Sequence, residues 1–211
     1  MSGIHLAVLG MSFGPNIPDI GAPYAGGFYA GQISVAGNGI ASHNLVVSPK
    51  STGENSSRQW KTSNTSTAGT TSFIDGPTNS ANMNDASHPA AQFCEGLSIG
   101  GFSDWYLPAR NEIEVCYYNL KPDTTSNNTG GGANTNAVPS RPSNYTAGNP
   151  ARTSVTDFQT GGAQAFAASI YWNSTQAASN TAYDHRFSDG RQDTGTKTGT
   201  AYVRAIRRVA L

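Results

Sequence analysis

Apolar positions in this chain come in short bursts separated by long polar stretches. The clearest helical burst is Ile113, Cys116, Tyr117 and Leu120, at i, i+3, i+4 and i+7, which predicts an amphipathic helix with Asn111, Glu112, Glu114 and Asn119 largely off the apolar stripe. Just before it, Trp105, Tyr106 and Leu107 read as a short half-buried strand, preceded by turn chemistry at Gly100-Gly101 and Ser103-Asp104. Pro108 suits the first turn of the helix, where its missing N–H costs nothing. An earlier helix is predicted from His88-Pro89 to about Leu97, with Ala90, Phe93, Cys94 and Leu97 inward and Gly96 and Gly100 near its end.

Strand patterns flank these helices. Residues 28–33 and 45–47 predict a hairpin around Gly37-Asn38-Gly39. Three further strands are predicted at 171–174, 183–187 and 202–209, after a short helix at 158–166. In 183–187 the alternation puts Tyr183, His185 and Phe187 on one face and Asp184 and Arg186 on the other, which is expected to be displayed. Residues 48–84 are mostly Ser, Thr, Asn and Gly with Trp60 as the one large anchor, and read as loop. Residues 121–152, with Gly130-Gly131-Gly132, are too polar to carry a core of their own. Residues 1–22, punctuated by Gly14-Pro15, Ile17-Pro18 and Gly21-Ala22-Pro23, read as an arm that cannot pack alone, and 23–211 as one domain.

Composition narrows the class. Only 36% of the 211 residues are hydrophobic and 12% charged, with 24 Gly, so the chain is loop-rich, yet its aromatic residues can still build a core. Lys plus Arg balances Asp plus Glu at 13 each, leaving no global field to attract nucleic acid or an anionic membrane. Arg204, Arg207 and Arg208 form the one basic cluster. On a strand Arg204 and Arg208 share a face, and salt-bridge and edge roles outweigh a nucleic-acid patch. The apolar run at 4–11 has no preceding basic residue and is too short to span a bilayer, so neither a secretory signal nor membrane insertion is expected. Cys94 and Cys116 fall on the apolar sides of the two helices, where a buried reduced thiol is the usual state.

Candidate catalytic chemistry is sparse. Gly96-Leu97-Ser98-Ile99-Gly100 has the nucleophile-elbow spacing, but that motif needs a strand before its Ser and a helix after, and here a helix ends into a turn. Glu112 and Glu114, two apart on a helix, do not face each other, and a glycosidase needs two carboxyls across one cleft. Glu112 is better suited to orienting the helix start. His5, His43, His88 and His185 lack zinc-ligand spacing. No cofactor, no metal and no enzymatic activity are expected. The remaining candidates form a binding surface: Trp172, Asn173, Asp184, Arg186, Asp189 and Arg191. Trp and Arg supply large or forked contacts, and Asn and Asp supply acceptors. Loops 176–180 and 189–199 have the adaptable polar composition of antibody loops, although solvated hairpin loops look the same and a strand Trp is more often core than contact.

The stretch Gly101-Phe102-Ser103-Asp104-Trp105-Tyr106-Leu107-Pro108-Ala109-Arg110-Asn111-Glu112-Ile113 resembles the hallmark Gly-Tyr-Ser-Asp-Trp-Arg-Leu-Pro-Thr-x-x-Glu-Leu of the C-terminal domain of collagen-like bacterial adhesins, a C-type-lectin-like family also common in phage virion proteins. Tyr171-Trp172-Asn173-Ser174-Thr175, Phe187-Ser188-Asp189-Gly190 and the segment from Tyr202 to Val209 resemble its other motifs. Tyr106, Ala109 and Asn173 depart from the pattern, and Ala109 offers no side-chain helix cap. The resemblance implies an α+β, C-type-lectin-like fold, with two helices packed on short antiparallel strands and long loops on one side. It further implies a phage virion protein, made in the host cytoplasm and exposed on the particle as a homo-oligomer. Its role would be a receptor-binding or adhesin module at a tail or fibre tip, recognising host-surface glycan or protein, with the arm at 1–22 binding other virion proteins. The alternative is a structural decoration protein of capsid, collar or tail. Calcium-dependent sugar binding is not expected, because Trp172-Asn173-Ser174 lacks the lectin carboxylate and Lys121-Pro122-Asp123 puts a cation where a ligand oxygen is needed.

Overall fold

Two five-stranded sheets carry the fold among the described residues. In the first, β1 (Pro23–Tyr24), β2 (Gly27–Ile33), β3 (His43–Val47) and β10 (Ile206–Ala210) follow in that order, and β5 (Ala137–Val138) also pairs with β2. In the second the order is β4 (Glu54–Gln59), β9 (Thr200–Arg204), β6 (Ile170–Gln176), β7 (Thr181–Arg186) and β8 (Gln192–Thr196). Neighbours are antiparallel except β6 and β9, which meet in parallel where Tyr171 faces Tyr202. This is a computed structural model describing residues 17–211. Most of the expected arm, with its apolar run and His5, lies outside the described residues. The arm's last residues belong to the domain: the Gly21 N–H donates to the Tyr29 carbonyl at 2.8 Å, and Ile20 packs on the core.

The expected α+β, C-type-lectin-like architecture is not what forms. The chain is mostly β, 29% strand against 16% helix, with a curled antiparallel sheet beside the second sheet. Of the four helices among the described residues, α1 (Lys50–Gly53), α2 (Gly76–Ala81), α3 (Pro89–Glu95) and α4 (Arg110–Leu120), only α4 exceeds seven residues. The extra β structure sits where polarity hid it. β4 crosses the Ser- and Asn-rich stretch read as loop, and β8 crosses a Thr-, Asp- and Gly-rich one. Both are outer strands of their sheet, so ladder hydrogen bonds hold them without an apolar alternation. The predicted strand at 202–209 breaks at Ala205 into β9 and β10, one in each sheet, so Arg204 and Arg208 do not share a face. The predicted helix at 158–166 is only a 3-10 turn over Thr156–Phe158.

The middle of the hallmark stretch, Trp105 to Ala109, is extended and buried. It touches β10 through one bridge, in which Tyr106 and Ile206 exchange hydrogen bonds at 2.9 and 3.1 Å. Ala109, not Pro108, occupies the cap position of α4, and having no side-chain acceptor it leaves the first-turn N–H groups to others. Thr175 Oγ1 accepts from Arg110 N at 3.1 Å, the Phe73 carbonyl from Asn111 N at 2.9 Å, and Glu112 Oε2 from Ala109 N at 2.7 Å. Glu112 does orient the helix start.

α4 packs against β2 and β5 of one sheet and β6 and β7 of the other, so none of its residues is exposed and only Arg110, Asn111, Tyr118 and Asn119 are half-buried. Glu112 and Glu114, off the apolar stripe, are therefore fully buried, and each is paired. Glu112 accepts from Arg208 Nε and the Tyr106 hydroxyl, both at 2.6 Å. Glu114 accepts from Arg141, from the Asn134 amide and from the Tyr145 hydroxyl at 2.7 Å. Lys121 donates to the Thr125 carbonyl, Asn127 Oδ1 and the Pro150 carbonyl. Buried polar hubs on α4 and just beyond it thus organise the polar segment 121–152, which has too few apolar groups to collapse on its own.

Candidate functional site

The face of β6, β7 and β8 that bears Trp172 and Asp184 carries the candidate site. Register places residues in rows across the three strands: Trp172 faces Asp184, which faces Asp193, and Ile170 faces Arg186 in the next row. The strand pleat turns these side chains to the same side. The β7–β8 hairpin closes through Asp189 and Gly190, whose φ of +74° is left-handed, and Arg186 N donates to the Arg191 carbonyl at 2.9 Å. Two adjoining hollows of about 240 and 170 Å³ open on this face and share Ile170, Asp184 and Gly195. Gly195 keeps the floor clear. A Cβ there would lie 2.5 Å from the Trp172 ring and 3.3 Å from Asp184 Oδ2.

Charges in the cleft are unevenly matched. Asp189 takes Arg186 in a forked pair at 2.8 and 2.6 Å, and Asp193 pairs with Arg191. Asp184 is 6% exposed, lines both hollows, and has no hydrogen bond or ion pair among the described residues. Burial, reinforced by the facing Asp193 and opposed by Arg191 and Arg186, raises its carboxyl to about 6. An unpaired buried carboxylate flanked by a like charge costs stability, and such groups concentrate at functional sites.

The sign of that cost is testable. Because the folded protein holds the Asp184 proton to higher pH than the unfolded chain does, the penalty is absent below the usual value of 3.8 and grows until pH passes about 6. A rise of that size, discounted for the open mouth of the cleft, is worth about 1–3 kcal/mol. Asp184→Asn is accordingly expected to raise the melting temperature at neutral pH and to lose that advantage in acid below about 4. Thermal unfolding of both proteins across pH checks this; an Asn variant that is less stable at neutral pH contradicts it.

Of the residues singled out from sequence, Asp184, Arg186 and Arg191 line the cleft and Asp189 holds Arg186 in place. Asp184 forms the floor instead of being displayed. Trp172 is 3% exposed and belongs to the core, its Nε1 donating to the Arg58 carbonyl at 3.0 Å, so only its ring edge reaches the cleft. Asn173 is not at the surface at all: it is fully buried, and its carbonyl accepts from Trp60 Nε1 at 2.8 Å. On the other face of β7, His185 and Phe187 are buried as the alternation requires, and burial lowers His185 to about 3, which keeps its ring neutral. Sequence reasoning missed Ile170, Asp193 and Gly195. The Asp189-Gly190 pair was the available signal, since that dipeptide marks a hairpin and the return strand would bring Asp193 opposite Asp184.

The other candidates have structural places. Ser98 lies in the exposed turn after α3, beside Gly100 and Gly101 at φ +62° and +84°. Cys94 and Cys116 are free and buried, and burial pushes the Cys116 thiol up to about 12. Arg204 donates to the Ser48 and Gln164 carbonyls, Arg207 forks onto Asp104 at 2.7 and 2.8 Å, and Arg208 pairs with Glu112, so the basic cluster is spent inside the fold. Among the described residues no three His, Cys, Asp or Glu side chains converge on a point that could hold a metal.

Fold and site together define a small, mostly β domain with a polar, glycine-floored cleft over β6, β7 and β8. Residues 52–207 match the family model of the Lcl C-terminal domain, and the chain belongs to that family. No curated protein matches it.

Proposed function

We propose that the protein is a non-catalytic adhesin module, carried on a phage virion at a tail or fibre tip, that recognises a host-surface glycan or protein through the β6–β7–β8 cleft. The observation that carries this reading is Asp184: a carboxylate without a partner among the described residues, nine-tenths buried, at the base of an open cleft rimmed by two arginines. Family membership supports an adhesin-like role, and the low charge and abundant small polar residues suit an exposed display surface. The non-catalytic part rests on the carboxylates. Glu112 and Glu114 are consumed in buried pairs, and Asp193 is committed to Arg191, so Asp184 faces no second free carboxyl across the cleft.

Replacing Asp184, Arg186, Asp189 and Arg191 together with alanine is expected to weaken attachment of the labelled protein to host cells while leaving the melting transition cooperative. Attachment that persists in the folded variant would overturn this reading. A structural decoration role is favoured by a different feature, the β2–β3 hairpin tip, where Val35 and Ile40 are exposed, Ile40 by 71%. In that case Val35→Ser/Ile40→Ser would abolish incorporation into the particle, and the four-alanine variant would assemble and attach as wild type does.

A further inference from the structure

We infer that the cleft is selective for an amino sugar, a pyranose whose free ammonium group pairs with Asp184, over neutral and anionic sugars. This rests on the cleft being the recognition site, and it names the ligand chemistry. Every strand that faces the site contributes to its charge balance. β6 contributes the apolar Ile170 and the edge of Trp172. β7 contributes Asp184 and Arg186, the hairpin turn Arg191, and β8 Asp193, while Asp189 in the turn stands behind Arg186. Arg186 is neutralised by Asp189 and Arg191 by Asp193. Three carboxylates and two guanidinium groups leave one negative charge, and it sits on Asp184, the one of the five that has no partner among the described residues and the most deeply placed. A ligand that brings a cation to that point relieves the cost of a buried unpaired charge, whereas a sulfate or carboxylate would add a second anion beside it.

The remaining lining suits a sugar ring better than a lysine side chain. Ile170 with the Trp172 edge gives an apolar strip beside the carboxylate, and the two hollows adjoin across Asp184, giving the breadth a ring needs. A pyranose presents both an apolar C–H face and a rim of hydroxyls. A lysine stem is a narrow apolar rod that would leave much of the two adjoining hollows unfilled. Gly195 leaves the ring room, since any side chain there would cover the indole edge and Asp184 Oδ2 together.

Titration of D-glucosamine, D-glucose, N-acetyl-D-glucosamine and Nα-acetyl-lysine amide against the full-length protein, followed by chemical-shift changes, tests the inference. At neutral pH D-glucosamine should bind about tenfold or more tighter than D-glucose or the N-acetyl sugar, as expected for a charge-assisted pair. Its affinity should fall with salt, and it should fall as the pH is lowered through about 6, where Asp184 takes up its proton. Asp184→Asn, expected to be folded and at least as stable as wild type, should lose the preference for the amine while keeping weak binding of the ring. Equal binding of the amino, N-acetyl and neutral sugars, or no binding of any of them, overturns the inference. Lysine amide binding as tightly as D-glucosamine overturns it in favour of a protein partner. These outcomes are independent of the cell assay. Loss of attachment in the four-alanine variant without an amine preference leaves the adhesin reading standing alone, and an amine preference with undiminished attachment does the reverse.

Discussion

Glu112→Ala is expected to destabilise the fold by about 3–5 kcal/mol, the range for removing one partner of a buried ion pair. The carboxylate is fully buried and gathers three groups from three places in the chain: Arg208 Nε of β10, the Tyr106 hydroxyl of the hallmark stretch and the Ala109 N–H at the start of α4. Alanine would leave the Arg208 charge uncompensated in the interior, with a side chain only 11% exposed, and would undo the one side chain that closes the helix start from within. The space cannot be refilled by a small shift, because the Cα of Gly76 is packed so tightly against Glu112 and Tyr106 that no Cβ fits there. At roughly 2–4 °C per kcal/mol for a chain of this size, the melting temperature should fall by about 10 °C or more. Glu112→Gln keeps the shape and still accepts hydrogen bonds, and should recover only part of the loss. A Glu112→Ala protein melting within a degree or two of wild type would show that the network carries little of the stability.

Trp105→Ala should cost a similar amount, about 3–5 kcal/mol, through a cavity and not through charge. Trp105 is 1% exposed and lies in the cluster that contains Val46 of β3, Ala90, Ala91 and Cys94 of α3, and Leu107. Its Nε1 donates to the Phe102 carbonyl at 3.1 Å, and its ring edge lies where a Cβ on Gly27 would approach to 3.0 Å. The walls belong to a sheet strand and a separate helix, so they cannot close together over the space the indole leaves. Trp105→Phe should retain more of the stability than alanine, losing the hydrogen bond and part of the volume. Equilibrium unfolding in denaturant reads both, and an unchanged midpoint for the alanine variant would contradict the placement of Trp105 in the core.

Both predictions fall within the hallmark stretch, and that explains what the resemblance is made of. Asp104 holds Arg207, Trp105 fills a core, Tyr106 bridges to Ile206 and Glu112 holds Arg208. The second motif is equally structural: Tyr171 donates to Glu54, the Asn173 carbonyl takes the Trp60 N–H, Ser174 N donates to the Pro108 carbonyl, and Thr175 caps α4. The two motifs are docked on one another at the start of α4. The recognisable residues secure the fold, and the candidate cleft lies beside them on strands whose sequence is unremarkable.

Local pattern alone determined α3, α4, the β2–β3 hairpin, the strand at β7 and the reduced state of both cysteines, because each depends on periodicity, turn chemistry or apolar context within a few residues. The sequence also placed Asp184, Arg186, Asp189 and Arg191 together, since a hairpin keeps near neighbours near. Tertiary structure decided the rest. β4 and β8 exist because partner strands supply hydrogen bonds to polar segments that have no reason to be strands by themselves. Glu112 and Glu114 look like surface residues on a helical wheel, and are buried because α4 is packed by both sheets. Ala109 looks uncapped because its cap, Thr175, comes from a strand 65 residues further along the chain. Asp184 reads as a displayed charge, and becomes an unpaired floor carboxylate because the facing residue on β8 is another aspartate and the nearby arginines have been taken by their own partners. Each of these outcomes turns on which group stands opposite, and that is fixed by strand register and packing across distant segments, which no local pattern encodes.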